Sequence, residues 1–446
     1  MSARSLHRAA LLLASLSLVL TACTVDDGTN PNPRDAGTLP PPDTAPRDTG
    51  TPPLDSALDG DAGDTTVDAP PDVLPPATLK PFTSPGNSAP PGQILVTASG
   101  EVLALGGYAF PPAKDGDPAF VDGWDVRFTH VLVTLDAIRL HDTPDRSPTD
   151  QSVVGGLVAE LRGPWAVDLH KGGPLAGKGG SDEQAVAIAL FANQNKNGGA
   201  AFDPTVRYAF GYDAIAATPD ARNVDLDAEG LSLYAQMIAN RYVVLYAGTA
   251  TWKGGSACKA GPGATYDFGK LPKTVRFTFG FATPTSYVNC QNPDNDPAPA
   301  FAGEEHQRGV QIKASAGVVA QATFHTDHPF WESVVHDSPA HFDMIAGRYA
   351  GATSADAVLE DLIGVDLTNV TDRGGGAMAW RSCLPSYTAK AGTLAFDPQS
   401  VPVSPGGTPD KALRDLYDLM VYDQSTQGHL NSNGLAFVER HYPSPP

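Results

Sequence analysis

The stretch WDVRFTHVLVTLDAIRLHD, Trp124 to Asp142, decides the fold class. It is dense in β-branched residues and alternates in polarity, the pattern of a strand lying half buried on a sheet. GQILVTASGEVLALGGYAF, from Gly92, repeats the pattern just upstream. Downstream the same grammar returns in WAVDL (165–169), VRYAFGYDAI (206–215), YVVLYAGTATW (242–252), TVRFTFGFA (274–282), GVQIKAS (309–315) and VVAQATFHT (318–326). Many short strands punctuated by Gly, Pro and Asn predict a mainly β, α+β fold: an antiparallel β-sandwich with inserted and C-terminal helices. Helices are expected over DAEGLSLYAQMIANR behind an Asp227 cap, over SADAVLEDLIG from Ser354 to Gly364, and over PDKALRDLYDLM at 409–420.

The N-terminal part follows different rules. Residues 1–22 combine Arg4 and Arg8 with an apolar run from Ala9 to Leu20, too short to span a membrane and read as an export signal. From Cys23 to about residue 92, Pro, Asp, Thr and Gly dominate and aromatic residues are nearly absent. Such a segment cannot bury enough apolar surface to offset chain entropy, so a disordered linker is expected. Its reach lies between about 45 Å as a coil and about 200 Å as polyproline. Residues 93–446 then form the globular part, and a division into two subdomains would fall near residue 300. The whole chain holds 30 Lys plus Arg against 50 Asp plus Glu, a formal charge of −20, with no basic run. Nucleic-acid binding is therefore disfavoured.

The strongest chemical signal is FHTDHPFWESVVHDSPAHFD, Phe324 to Asp343. It places four of the eleven histidines, His325, His328, His336 and His341, among Asp327, Glu332, Asp337 and Asp343. Gln321, Thr323 and His325 share one strand face, Ala320, Ala322 and Phe324 the other. Pro329 suits a first helical position, so a short helix is expected from about Pro329 to His336, with a second fragment after Pro339. On one straight helix His328 and His336 would stand about 12 Å apart, too far to share an ion. The economical site therefore anchors on His325 and His328 and folds His336 or His341 back across the Asp337–Pro339 corner, with Asp327 and Glu332 as ligands or supporting acceptors. Imidazoles with an occasional carboxylate suit Zn²⁺ or Cu²⁺. The bland alternative leaves these histidines as caps in a structural or adhesive surface module. A third makes the protein a metal-assisted envelope hydrolase with Glu332 as base.

Weaker signals accompany this one. Asn292, Asp294 and Asp296 offer the closely spaced oxygens that Ca²⁺ prefers, without the EF-hand glycine or terminal glutamate. GGPLAGKGG has Gly172, Gly177 and Lys178 of a phosphate loop, but Gly179 replaces the hydroxyl that would hold Mg²⁺. No G-x-S-x-G elbow and no H-E-x-x-H occurs. In an oxidising envelope Cys258 and Cys290, in loops flanking one strand, are the expected disulfide, worth about 3 to 4 kcal/mol; Cys383 is left over.

Two resemblances add to these readings. Leu20-Thr21-Ala22-Cys23 resembles the bacterial lipobox. That implies cleavage before Cys23, lipidation of its thiol and stable anchoring, since each buried CH₂ contributes about 0.8 kcal/mol. Thr24 after the cysteine then favours the outer membrane, on its periplasmic or surface face, with an envelope protein as an expected partner. DVRFTHVLVTLDAIRL (125–140) and TVRFTFGFATPTSYVNCQNPD (274–294) have a rhythm similar to MbnP-like, copper-associated periplasmic β-sandwich proteins. The likeness implies a sandwich and tilts the metal toward copper, but it assigns no ligand.

Overall fold

The computed structural model describes residues 74–442, except 181, 262–263, 296–297, 366–379, 386, 388–412 and 414. The signal segment, Cys23 and most of the linker lie outside the described residues.

The larger elements, in chain order, are β1 (Ile94–Ser99), α1 (Glu101–Gly106), β2 (Trp124–His141), β3 (Trp165–Asp168), β4 (Gln184–Phe191), β5 (Arg207–Ala214) and α2 (Ala228–Asn240). Next come β6 (Val244–Trp252), β7 (Thr274–Phe281), β8 (Thr285–Val288), β9 (Val318–Phe324), α3 (Asp343–Ala346), β10 (Ser354–Val358), α4 (Leu416–Ser425), β11 (Gly428–Leu430) and β12 (Gly434–Leu435). The fold is β-rich α+β, as the strand patterns predict.

The 18-residue strand β2 organises the larger sheet. Its N-terminal half pairs antiparallel with β6, its C-terminal half with β5, and β3 lies along its middle. Only Arg127 and Thr129 are exposed on it, because α2 covers part of the outer face. Tyr234 and Met237 of α2 pack there with Leu132, Ala166 and Leu245, and Tyr234 exchanges a 2.9 Å hydroxyl bond with Thr134. The helix starts where the Asp227 carboxylate accepts from Gly230 N, as the cap residue requires.

The smaller sheet runs β12–β11–β9–β1–β4 and ends on the two-residue strand Leu175–Ala176. Here β9 is parallel to β1 and antiparallel to β11. Ala320, Ala322 and Phe324 of β9 join Ile94 and Val96 of β1 and Val126, Phe128 and Tyr246 of the larger sheet in one core. The opposite face of β9 is buried as well. Its Gln321 donates to Glu183 Oε1 at 2.6 Å and to Thr323 at 2.8 Å, and Thr323 donates to the Asn431 carbonyl. The strand's polar side therefore faces protein.

Several local expectations change. Residues 354–358 form β10, parallel to β7, and only 359–362 turn as a 3₁₀ helix. The open edge of β7 claims the segment, and Arg276 grips Asp356 through two hydrogen bonds across the new pair. Tertiary pairing overrides a helix-like sequence here. The last helix spans Leu416–Ser425 behind an Asp415 cap, and residues 409–412 and 414 of the expected span lie outside the described residues. The segment after Gly100 folds as α1 rather than continuing the strand.

The disulfide joins Cys258 to Cys383, not to Cys290, which is free and buried in the core. Cys290 sits where its backbone bonds Phe210 and Gly309, inside the sheet, whereas residues 259–260 pair with 381–382 and bring the other two thiols together. The bond closes a separation of 125 residues, so chain entropy makes it worth about 5 kcal/mol. Peptide mapping without reductant will yield one linked pair carrying Cys258 and Cys383, with Cys290 alkylated only after unfolding.

Candidate metal centre

The register of β9 and β11 sets the site. Thr323 stands opposite His429, and opposed residues of an antiparallel pair share a face, so His429 projects on the side of Gln321, Thr323 and His325. Its ring stacks on His325 with centres 4.0 Å apart and planes within 3°. His328 follows on a 3₁₀ turn, His328–Phe330, with its ring 5.4 Å from His325 and 5.6 Å from His429. One ligand atom from each of His325, His328 and His429 lies within 4.8 Å of the others, so the triad could hold a metal ion.

Hydrogen bonding fixes which nitrogens are available. Thr426 gives its single hydroxyl proton to the Asp423 carbonyl, so it accepts from His328 Nδ1 at 2.7 Å. That leaves the lone pair on His328 Nε2, which is buried and unpartnered. The Ser432 carbonyl accepts from His325 Nε2 at 2.9 Å, so Nδ1 is the His325 nitrogen left to face an ion. Neither nitrogen of His429 makes a hydrogen bond of good geometry, although the residue is 1 % exposed; the backbone of Asn433 and Thr426 lies near enough only to offset part of the burial. Burial, reinforced by the neighbouring imidazoles, pushes His328 and His429 well below the ordinary histidine range. Both are neutral at pH 7, the form that ligates.

Carboxylates flank the imidazoles. Glu101 Oε1 lies 3.2 Å from His325 Nε2, and Glu101 holds a left-handed backbone, φ 61°, where glycine would be at ease. Burial pushes its carboxyl up to about 7, against the pull of His325. Asp327 accepts from Trp331 Nε1 at 3.1 Å, and burial raises it too. The Trp331 ring rests 3.7 Å from that of His328.

The helix expected over 329–336 stops at Phe330. Trp331 turns extended and bridges to Ala340, while Glu332 N bonds the Pro339 carbonyl and His341 N bonds that of Phe330. Residues 330–341 therefore double back as a hairpin. His336 near its tip returns toward the triad, its ring 6.1 Å from both His328 and His429. His341 does not join it. At the hairpin base its Nε2 bonds Glu332 Oε2 at 2.9 Å and its Nδ1 lies 3.7 Å from Asp122, so His341 and Glu332 neutralise each other away from the ring cluster.

Of the expected ligands, the structure unites His325 and His328, sets His336 and Asp327 beside them, and adds His429, which the crowded 325–341 segment did not suggest. GHLNSNG, with turn residues after a short apolar strand, was the available signal for a hairpin pairing with β9. The oxygen-rich turn is bonded within its own surroundings. Asn292 Oδ1 accepts from Asp294 N and from Asn431 Nδ2, and Asp294 pairs with Lys178. Asp296 lies outside the described residues. Comparison with protein-family models, curated proteins and solved structures found no match to this chain.

Proposed function

We propose that this is a non-catalytic, metal-binding lipoprotein of the outer membrane, anchored through Cys23 and displayed on its Pro- and Asp-rich linker. The ion is Zn²⁺ or Cu²⁺, and its ligands are His325, His328 and His429. One observation carries the reading: buried imidazole nitrogens of His328 and His429 converge with no hydrogen-bond partner. Each unsatisfied buried polar atom costs about 1 to 3 kcal/mol, and a bound cation would remove that cost. The ligand atoms stand up to 4.8 Å apart. Bonds of about 2.0–2.1 Å in a tetrahedron place ligand atoms about 3.4 Å apart, so side-chain rotation of about an ångström would close the site. The chemistry supports a borderline metal, since the donors are imidazoles. The N-terminal signal and Leu20-Thr21-Ala22-Cys23 support export and anchoring.

The test is metal content by mass spectrometry after Zn²⁺ or Cu²⁺ loading and dialysis, comparing the full chain with a His325→Ala, His328→Ala double variant. About one ion per wild-type chain and near none in the variant is expected. Equal, near-zero occupancy in both overturns the reading.

A further inference from the structure

Resting on that metal reading, we infer that His336 is the fourth ligand, delivered by the hairpin tip, and that the loaded ion keeps no position open for a substrate. His336 Nε2 is buried and unpartnered, like His328 Nε2 and the nitrogens of His429, while Nδ1 lies 3.2 Å from Asp337. In the neutral ring that carboxylate takes the Nδ1 proton and leaves the lone pair on Nε2, the arrangement that supports a ligating imidazole. Four of the six ring pairs stand close to the spacing that a shared ion sets. Two imidazoles on one tetrahedral ion have centres about 5 Å apart. Here His325–His328, His328–His429, His328–His336 and His336–His429 stand at 5.4, 5.6, 6.1 and 6.1 Å. On loading, the stacked His325 and His429 part by about an ångström and His336 moves about as far toward His328 and His429.

The hairpin supplies that small movement without unfolding. Its tip is closed by a 2.7 Å bond between Ser333 and Ser338 and turns through Asp337 at φ 58°. Its base is pinned by His341 and Glu332. The His336 side chain is 31 % exposed, so this ligand alone of the four both touches solvent and reaches the interior through a loop. Arriving ions would meet His336 and His325, then sink to the more buried His328 and His429. Four imidazoles around one tetrahedral ion leave no coordination position for activating water, which assigns the site to carriage or storage of the metal.

Co²⁺ titration of the full chain, in detergent, reads both coordination number and affinity. Four-coordinate Co²⁺ absorbs visible light far more strongly than five- or six-coordinate Co²⁺, and at saturation band intensity does not depend on affinity. Wild type is expected to give the strong band. His336→Ala, a change at a half-exposed loop tip, is expected to bind more than about 100-fold more weakly and, with water in the vacated position, to give a band of different shape and intensity at saturation. Unchanged affinity and band in His336→Ala, alongside lost binding in His328→Ala, would overturn the fourth-ligand inference and leave the three-histidine reading standing. Absence of binding in wild type would overturn both.

Discussion

Replacing His429 with phenylalanine is expected to abolish tight metal binding while making the metal-free protein more stable. Changes to groups that merely support a ligand commonly cost 10- to 100-fold in affinity, so loss of a ligand should exceed about 100-fold. The effect should equal that of His328→Ala, because both rings contribute a buried nitrogen with no other partner. Stability should move the opposite way. The His429 ring sits stacked on His325 at 1 % exposure with two unsatisfied nitrogens, and phenylalanine of similar shape removes both. At about 1 to 3 kcal/mol for each unsatisfied atom, offset by imperfect fit, a net gain of about 1 to 2 kcal/mol follows for the metal-free chain. A chelator-competition titration and urea unfolding of the metal-free protein check the two halves. Retained affinity would remove His429 from the site; a less stable variant would mean that its nitrogens are already satisfied.

How much of the molecule is legible in sequence depends on whether an element is set locally or by a distant partner. The strands from Trp124 to His141 and from Val244 to Trp252 follow local patterning, since alternation and β-branching act within each segment. The cap at Asp227 is likewise local. What escaped depends on long-range pairing. The strand at Ser354–Val358 exists because an edge was free 80 residues earlier, and its own composition favours a turn or helix. The disulfide partner of Cys258 lies 125 residues on, beyond the reach of loop-based reasoning. The site divides in the same way. His325 and His328 are close in sequence and remain close in space, and the corner at Asp337 does return His336. His429, by contrast, enters only through the register of β9 against β11, which no residue of the histidine-rich segment encodes. His341 departs from the cluster for the converse reason. Proximity in sequence put it with the other rings, whereas the hairpin base turned it toward Asp122 and Glu332, whose carboxylates have the stronger claim on an imidazolium.

That buried base predicts a second large effect, on stability and in the alkaline direction. His341 is fully buried between Glu332 and Asp122, which are 1 % and 0 % exposed, and Tyr387 donates to Glu332 at 2.8 Å. Nearby, Asp343 is paired with Arg381 and bonded by Trp124, and its backbone N–H, like that of Phe342, donates to Asp122. Burial, the largest influence on His341, favours the neutral ring, but the two carboxylates together outweigh it and raise the group to about 9. A histidine with a folded pKa above its unfolded value of about 6.5 stabilises most when both states are protonated at low pH. The contribution is full below about 6.5 and is lost as pH rises through 9, a change on the order of 3 kcal/mol. Urea unfolding of the metal-free protein between pH 6 and 10 should therefore show declining stability over that window. His341→Gln should flatten the decline and, by leaving Glu332 and Asp122 without their cation, cost about 3 to 5 kcal/mol at pH 6. Metal affinity at pH 7 should change no more than about two- to three-fold in that variant, because His341 holds the hairpin from its base and does not face the ion. A profile flat in both proteins would show that His341 is neutral throughout, and that the two carboxylates are held by hydrogen bonds rather than by charge.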